Sequence, residues 1–288
     1  MTTHITRFTV SDTVTLVADS RGPMDGAPVL LLHGGGQTRW SWGRTAEALA
    51  EAGLRVHSLD LRGHGESDWC PDGEYTLDHF ADDLRQVIRN FPTPPVIVGA
   101  SLGGLSSLLA CGEAPMAACA ALVLVDISPR IEAGGSNRVT DFLRSTVDGF
   151  DTLEAAAVAV AAYSPNRKRS GRPEGLLKNL RQDADGRYRW HWDPAFVFPK
   201  DSAPEWNLAD LEGRLMDAAR RITAPTLIVR GDLSDVVSEQ TMAHLAAALP
   251  HVEQAVIAGA GHMIAGDDNA AFNAAILPFV LSQGGGDG

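Results

Sequence analysis

The stretch VIVGASLGG, residues 96–104, decides how this chain folds and where its chemistry lies. Its apolar opening is typical of a buried strand, and residues 105–110 have the composition of a helix. Gly99 and Gly103 allow the backbone to reverse where a Cβ atom would clash. Ser101 lies at the apex of this turn, beside the free N–H groups that begin the helix and stabilise negative charge. The context therefore predicts a nucleophilic serine on a strand–turn–helix element.

The composition indicates a globular protein that is large enough for one α/β domain with an insertion. The 288 residues are 44% hydrophobic and 21% charged, with a net charge of −12. This acidic balance argues against nucleic acid or an anionic membrane as a partner, and no apolar run has the length of a membrane span. The polar N-terminus has no signal-peptide pattern, so we expect a cytoplasmic protein that acts on a small molecule.

Strands and helices alternate along most of the chain, which predicts a parallel sheet with right-handed crossovers. Residues 5–10 and 14–18 predict a hairpin at the edge of this sheet. An amphipathic helix is predicted over 77–90, and a closing helix over 270–280. Apolar runs at residues 29–32, 96–98 and 122–125 predict strands that are buried in the sheet, and further strands are predicted at 56–61 and 226–229.

The alternation stops between about residues 130 and 221, where the pattern is helical and no buried strand is predicted. Residues 131–220 hold 9 of the 18 aromatic residues, with 13 Lys or Arg against 14 Asp or Glu. We therefore predict a core domain of residues 1–129 and 222–288, with a helical cap over 130–221. Most of the aromatic residues are expected to form the core of the cap, and one or two to face a pocket for a partly apolar substrate.

A serine hydroxyl is a weak nucleophile at neutral pH and needs an adjacent base. His262 is the candidate base, because it lies on a glycine-rich loop between the last predicted strand and the last helix. A carboxylate must orient this histidine, and both Asp126 and Asp235 follow predicted strands. Either one gives the order nucleophile, acid, base along the chain.

Five segments, each at the end of a predicted strand, resemble the α/β-hydrolase superfamily over nearly the full length of the chain. They are HGGG at 33–36, DLRGHGES at 60–67, VGASLGG at 98–104, GDLSDVV at 231–237 and GAGH at 259–262. The resemblance implies a mostly parallel eight-stranded sheet flanked by helices, with a helical cap insertion. Within the superfamily, the chain is similar to the branch of esterases, lactonases, C–C hydrolases and cofactor-free haloperoxidases.

This resemblance implies a role for each matching residue. Ser101 is the nucleophile, His262 the base and Asp235 the acid, because most members keep the acid at the position of Asp235; Asp126 is the alternative. The backbone N–H groups of Gly35 and Leu102 form the oxyanion hole, and no cofactor is required.

The pocket is predicted from residues that follow the oxyanion loop and from aromatic residues of the cap. His33 and His64 are expected to pack beside this loop rather than bind a metal ion, because no third ligand lies at a suitable spacing. Two tryptophans at neighbour-but-one positions on a helix cannot both face the pocket. The predicted pocket residues are Gly36, which is also the alternative oxyanion donor, Trp40, Trp42, Trp190 and Trp192.

The expected reaction is hydrolysis of a carboxylic ester or lactone through an acyl-enzyme. Ser101 stands where dehalogenases and epoxide hydrolases of this fold carry Asp, and Gly36 replaces the proline of prolyl aminopeptidases. Two alternatives keep the same residues: a C–C bond hydrolase or lyase acting on a diketone, and a ligand receptor with incidental turnover.

Overall fold

The centre of the protein is an eight-stranded, mostly parallel sheet, as predicted. The computed structural model describes residues 2–114, 118–130, 133–163, 172–198, 208–262, 264 and 269–284. The strands are β1 (His4–Thr9), β2 (Thr15–Arg21), β3 (Pro28–Leu32), β4 (Arg55–Leu59), β5 (Val96–Ala100), β6 (Ala121–Val125), β7 (Leu180–Gln182), β8 (Tyr188–Trp190), β9 (Thr226–Gly231) and β10 (Val252–Ile257). The large sheet has the order β1-β2-β4-β3-β5-β6-β9-β10, and only the pairs β1–β2 and β2–β4 are antiparallel.

Helices cover both faces of this sheet. They are α1 (Gly43–Glu51), α2 (Leu77–Ile88), α3 (Leu102–Gly112), α4 (Ala133–Ser145), α5 (Leu153–Tyr163), α6 (Leu208–Arg221), α7 (Glu239–Ala246) and α8 (Asn269–Gly284). Because side chains alternate along a strand, Leu30 and Leu32 pack toward α2 and α3, whereas Val29 and Leu31 pack toward α1 and α8. This explains why the central strands are apolar throughout. No helix in the described part of the chain combines the length and the apolar character that a membrane span needs.

The cap follows β6 and contains α4, α5, a 3-10 helix over Pro173–Lys178, the hairpin β7–β8 and a 3-10 helix over Pro194–Phe196. Its apolar residues form a cluster of their own, which includes Leu143, Phe150, Trp190 and Trp192. The hairpin was not predicted, because the pattern of the whole segment was read as helical. Strands of three residues carry too little alternation to be recognised from sequence.

Helix α6 packs with the core helices, although the predicted cap boundary at residue 221 placed it in the cap. A Cβ atom on Gly112 of α3 would lie 2.2 Å from the carbonyl oxygen of Ala218, so the two helices are in close contact. Leu215 is fully buried, and the Arg214 Nε donates to Glu113 Oε1 at 2.7 Å. Helix α6 is therefore packed against α3 of the core.

Backbone hydrogen bonds attach the cap to the loop after β4. The Gly65 N–H donates to the carbonyl oxygen of His191 at 2.6 Å, and the Asp193 N–H donates to that of Gly63 at 2.8 Å. The Tyr75 hydroxyl donates to Asp193 Oδ2 at 2.6 Å. Burial and this carboxylate raise the pKa of Tyr75, so the phenol stays a donor. The cap is thus fixed above the carboxyl edge of the sheet.

Candidate active site

The turn after β5 is a sharp reversal with Ser101 at its apex. Ser101 has φ 46° and ψ −116°, a conformation that L residues rarely adopt. Two glycines permit it. A Cβ atom on Gly99 would lie 2.6 Å from the Gly103 carbonyl oxygen, and one on Gly103 would lie 2.6 Å from that of Leu32. This close packing presents Ser101 at the carboxyl edge of the sheet, where ligands bind in open α/β folds.

The glycine loop, residues 33–36, follows β3 and lies against the Ser101 turn. A Cβ atom on Gly34 would be 3.2 Å from the Ser101 Cβ. One on Gly35 would be 3.9 Å from the Leu102 Cδ2. The structure therefore brings together the two residues predicted to form an oxyanion hole, next to the predicted nucleophile.

The backbone N–H groups of this loop differ in what they bind. The Gly36 N–H donates to His64 Nε2 at 3.0 Å, so this alternative oxyanion donor is already occupied. The N–H groups of Gly35 and Leu102 have no hydrogen-bond acceptor among the residues that the structure describes. Both remain available to bind a substrate oxygen.

His33 and His64 support the glycine loop as neutral side chains. His33 donates from Nδ1 to the Gly34 carbonyl oxygen at 2.8 Å and accepts a backbone N–H at Nε2. His64 donates from Nδ1 to the Arg62 carbonyl oxygen at 2.9 Å and accepts from Gly36 at Nε2. Burial lowers the pKa of His33 to about 4 and that of His64 to about 3. All four ring nitrogens are used, and the described ranges contain no group of three metal-ligating side chains.

His262 lies on the loop after β10 and contacts Asp126. Its Nδ1 lies 2.6 Å from Asp126 Oδ2, and the carboxylate is 1% exposed. Asp126 directly follows β6, the strand next to β5, so its side chain emerges at the same edge as Ser101. The Ser101 N–H donates to the carbonyl oxygen of Val125, which places the two residues side by side.

The expectation that Asp235 orients His262 is corrected by this contact. Asp235 lies four residues beyond the end of β9, and its Oδ2 is 2.6 Å from Arg138 Nη1 on α4 of the cap. Both side chains of this ion pair are partly exposed, at 39% and 55%. Asp126 is closer to the imidazole because it follows its strand immediately, whereas the longer loop after β9 carries Asp235 toward the cap.

The predicted pocket residues lie in three places. Trp40 is half-buried beside Arg39 and His191, at the junction of core and cap. Trp42 is fully buried against Phe272 of α8, on the other face of the sheet, so its predicted place in the pocket is wrong. Trp42 ends the 3-10 helix Arg39–Trp42, and its burial depends on packing with Phe272, 230 residues later, which local spacing does not show.

Trp190 and Trp192 are buried members of the apolar cluster of the cap. The Trp190 Nε1 donates to Thr146 Oγ1 at 2.9 Å inside the cap. These two residues follow the alternative expectation that most cap aromatics form the core of the cap.

Two cap side chains lie over the glycine loop and were not predicted individually. A Cβ atom on Gly35 would be 3.1 Å from Phe196 Cζ, and one on Gly36 would be 2.7 Å from Leu143 Cδ2. The Phe196 ring also contacts His64, with ring centres 4.9 Å apart. The aromatic composition of the cap was the available signal, but it does not select Phe196. These contacts explain why the loop needs consecutive glycines.

Comparison with known proteins agrees with this fold. The sequence profile of a family with the alpha/beta hydrolase fold matches residues 27–268. The esterase Rv0045c of Mycobacterium tuberculosis is 30% identical over 246 residues, which are 83% of this chain and 78% of that protein. The 3-hydroxybutyrate-oligomer hydrolase of Cupriavidus necator is 28% identical over 249 residues, 82% of this chain and 83% of that protein.

The crystal structure of E-2-(acetamidomethylene)succinate hydrolase has the same fold, with a TM-score of 0.83, 24% identity, and coverage of 97% of this chain and 99% of that one. The relatives named by sequence are an esterase and another hydrolase, which supports hydrolase activity. With the family profile matching most of its length, the chain belongs to the alpha/beta hydrolase fold family.

Proposed function

We propose that this protein is a serine hydrolase that cleaves a carboxylic ester or lactone of a small, partly apolar substrate. The observation that carries the proposal is the 2.6 Å contact between His262 Nδ1 and Asp126 Oδ2, beside Ser101. In the described part of the chain, Ser101 and Asp126 are the only non-glycine residues with positive φ. Strain of this kind clusters at functional sites. Asp126 therefore takes the place of Asp235 in the proposed triad.

In the acylation step, Ser101 Oγ attacks the carbonyl carbon of the substrate while His262 Nε2 accepts the hydroxyl proton. Asp126 accepts the Nδ1–H of the same ring. This fixes the tautomer that leaves Nε2 as the base, and the carboxylate stabilises the imidazolium that forms.

The attack converts the carbonyl oxygen into an oxyanion, which the N–H groups of Gly35 and Leu102 bind. The loop on both sides of Gly35 is held by His33 and His64, and Leu102 is the first residue of α3. Donors that need no reorganisation contribute about 3–4 kcal/mol each to transition-state stabilisation in comparable sites.

Collapse of the oxyanion breaks the C–O bond, and the imidazolium of His262 protonates the departing alkoxide. Water then enters, gives a proton to Nε2 and attacks the acyl carbon. A second collapse releases the carboxylic acid and returns the proton to Ser101. Only the carbonyl carbon and these protons change partners, so the reaction needs no redox group.

The contacts above the glycine loop support a substrate with a small acyl part. Phe196 and Leu143 leave no room for a Cβ atom on Gly35 or Gly36, so the space beside the oxyanion donors is apolar and narrow. The esterase relative supports an ester as the bond that is cleaved.

The decisive experiment compares the wild-type protein with Ser101→Ala on p-nitrophenyl acetate and butyrate, a lactone and a diketone. We expect repeated turnover of the esters by the wild type and essentially none by the variant, with unchanged folding by circular dichroism. Phenylmethylsulfonyl fluoride should modify Ser101, as read by peptide mass spectrometry.

The other outcomes reject the proposal in distinguishable ways. Turnover of the diketone alone would indicate a C–C hydrolase. A single burst without further turnover would indicate a receptor. Full ester activity in Ser101→Ala, or labelling at another residue, would contradict the assigned nucleophile.

A further inference from the structure

The Asp126 carboxylate is held by the loop after β9 as well as by His262. The Gly231 N–H donates to Oδ1 at 3.2 Å, and the Ser234 hydroxyl donates to Oδ2 at 2.6 Å. The same Oδ2 accepts the Nδ1–H of His262 at 2.6 Å. Because Asp126 is almost fully buried, these donors take the place of water around its charge.

The direction of the Ser234 hydroxyl is set by its other contacts. Its Oγ accepts the backbone N–H groups of Val236 at 3.3 Å and Val237 at 3.1 Å. With its acceptor capacity used by the loop, the hydroxyl hydrogen points to Asp126. The Ser234 N–H itself donates to the Gly231 carbonyl oxygen at 3.1 Å, which closes the turn. The donor is therefore fixed before any substrate arrives.

We propose that Ser234 is a positioning residue for the reaction: its hydroxyl holds Asp126 Oδ2 at the place where it orients the His262 imidazole. This inference rests on the proposed function and extends it. In most members of the family the loop after β9 carries the acid. Here the same loop donates hydrogen bonds to an acid, Asp126, that follows the neighbouring strand β6. Without the Ser234 hydroxyl, the Asp126 carboxylate still accepts the Gly231 N–H at Oδ1, but its Oδ2 can rotate away from the imidazole.

The test uses Ser234→Ala, with Ser234→Thr as the conservative variant that keeps the hydroxyl. Ser128→Ala is the matched control, because Ser128 Oγ lies two residues from Asp126, is buried and has no hydrogen-bond partner in the described part of the chain. For p-nitrophenyl acetate we expect Ser234→Ala to lower kcat about 10–100-fold, the range usual for groups that orient a functional side chain. Ser234→Thr should recover most of this loss, and Ser128→Ala should behave as the wild type.

The pH profile separates positioning from a general structural role. In Ser234→Ala, the acid limb of kcat/KM should move to lower pH, because a carboxylate whose Oδ2 has turned away from the ring stabilises the imidazolium less. A variant that loses activity only through a disordered loop would lower the profile without moving this limb, and that result would overturn the proposal.

A double-mutant cycle gives a second, independent readout. If Ser234 acts through Asp126, then adding Ser234→Ala to Asp126→Asn should change kcat by less than about twofold. Multiplicative losses in the double variant would show that Ser234 acts on something else. Failure of the proposed function and failure of the proposed role of Ser234 give different results. An active Ser101→Ala rejects the serine mechanism. An inactive Ser101→Ala together with a fully active Ser234→Ala rejects only the role of Ser234.

Discussion

At the scale of single residues, Ser101 and Asp126 share an unusual backbone. Their φ values are 46° and 48°, and each directly follows a parallel strand of the central sheet. Hydrogen bonds hold both conformations: Ser101 N–H donates to Val125 O at 3.1 Å, and Asp126 N–H donates to Val229 O at 2.7 Å. Equivalent strain on neighbouring strands places a nucleophile and a carboxylate at the same edge.

Replacing the two candidate acids separates their roles. Asp126→Asn should lower kcat about 10⁴-fold, because an amide no longer fixes the tautomer of His262. Asp235→Asn removes a partly exposed ion pair with Arg138, so we expect a change of less than about tenfold in kcat and less than about 1 kcal/mol in unfolding free energy. Steady-state kinetics on p-nitrophenyl acetate, with thermal unfolding of both variants, provides the measurement. The opposite order of losses would assign the acid to Asp235.

The glycine loop gives a prediction about stability. Gly36 has φ +75°, and a Cβ atom there would lie 2.7 Å from Leu143 Cδ2. Gly36→Ala should therefore cost about 1–3 kcal/mol of unfolding free energy and lower activity. Gly213→Ala is the control, because nothing lies within 4 Å of its Cβ position. Because Gly213 lies in the interior of α6, Gly213→Ala should leave the unfolding free energy unchanged or raise it by up to about 1 kcal/mol. Equal losses in urea unfolding of the two variants would contradict this account.

At the scale of elements, the 3-10 helix Pro194–Phe196 couples the cap to the glycine loop. The Asp193 carboxylate caps this helix by accepting the Ala195 N–H at 2.9 Å, and it also accepts the Tyr75 hydroxyl. The position of the 3-10 helix above Gly35 is therefore determined by a hydrogen bond from Tyr75 of the core. One short element can thus limit the space beside the oxyanion donors without taking part in the chemistry.

Phe196→Ala should change substrate preference more than catalytic chemistry. We expect the preferred acyl chain to lengthen, with a rise in kcat/KM for p-nitrophenyl butyrate or hexanoate relative to acetate, while kcat for acetate changes by less than about tenfold. Phe198→Ala, two residues away and 49% exposed, is the control and should keep the wild-type preference. Loss of acetate turnover in a folded Phe196→Ala would mean that the cap supplies more than shape.

The sheet and the Ser101 turn could be predicted because their signals are local. A strand buried on both faces is apolar throughout, and a sharp turn requires glycine at fixed positions. The partner of His262 could not be predicted in the same way, since the distance between Asp126 and the imidazole depends on how three strand ends meet. The burial of Trp42, just before α1, likewise depends on a helix from the other end of the chain.

At the scale of the whole molecule, three buried neutral histidines couple folding to pH. Burial lowers the pKa of His33 and His57 from 6.5 to about 4, and that of His64 to about 3. Since the unfolded chain binds these protons more readily, their stabilising contribution is complete above pH 6.5. It decreases as the pH falls toward 4 for His33 and His57, and toward 3 for His64.

Urea unfolding between pH 7.5 and 4.5 should show this loss, at about 1.4 kcal/mol per pH unit for each histidine below pH 6.5. His57→Gln isolates one contribution, because His57 lies on the β1–β2 side of the sheet, hydrogen-bonded to Ser20. The variant will be less stable at neutral pH, but its unfolding free energy should fall less steeply with acid. An unchanged slope would show that His57 takes up a proton in the folded state.

The hydrogen bonds between the cap and the loop after β4 also determine how the cap can move away from the active site. Backbone hydrogen bonds tie His191 and Asp193 to Gly65 and Gly63, whereas α4, on the other side of the cap, forms the exposed ion pair Arg138–Asp235. If the side of the cap with His191 and Asp193 moved away, it would displace His64 and distort the glycine loop. We therefore expect this side to act as the hinge. Substrate should enter, and product leave, on the α4 side. Hydrogen exchange should be slower for the Gly65 and Asp193 amides than for those at the C-terminal end of α4, and added salt should widen the difference.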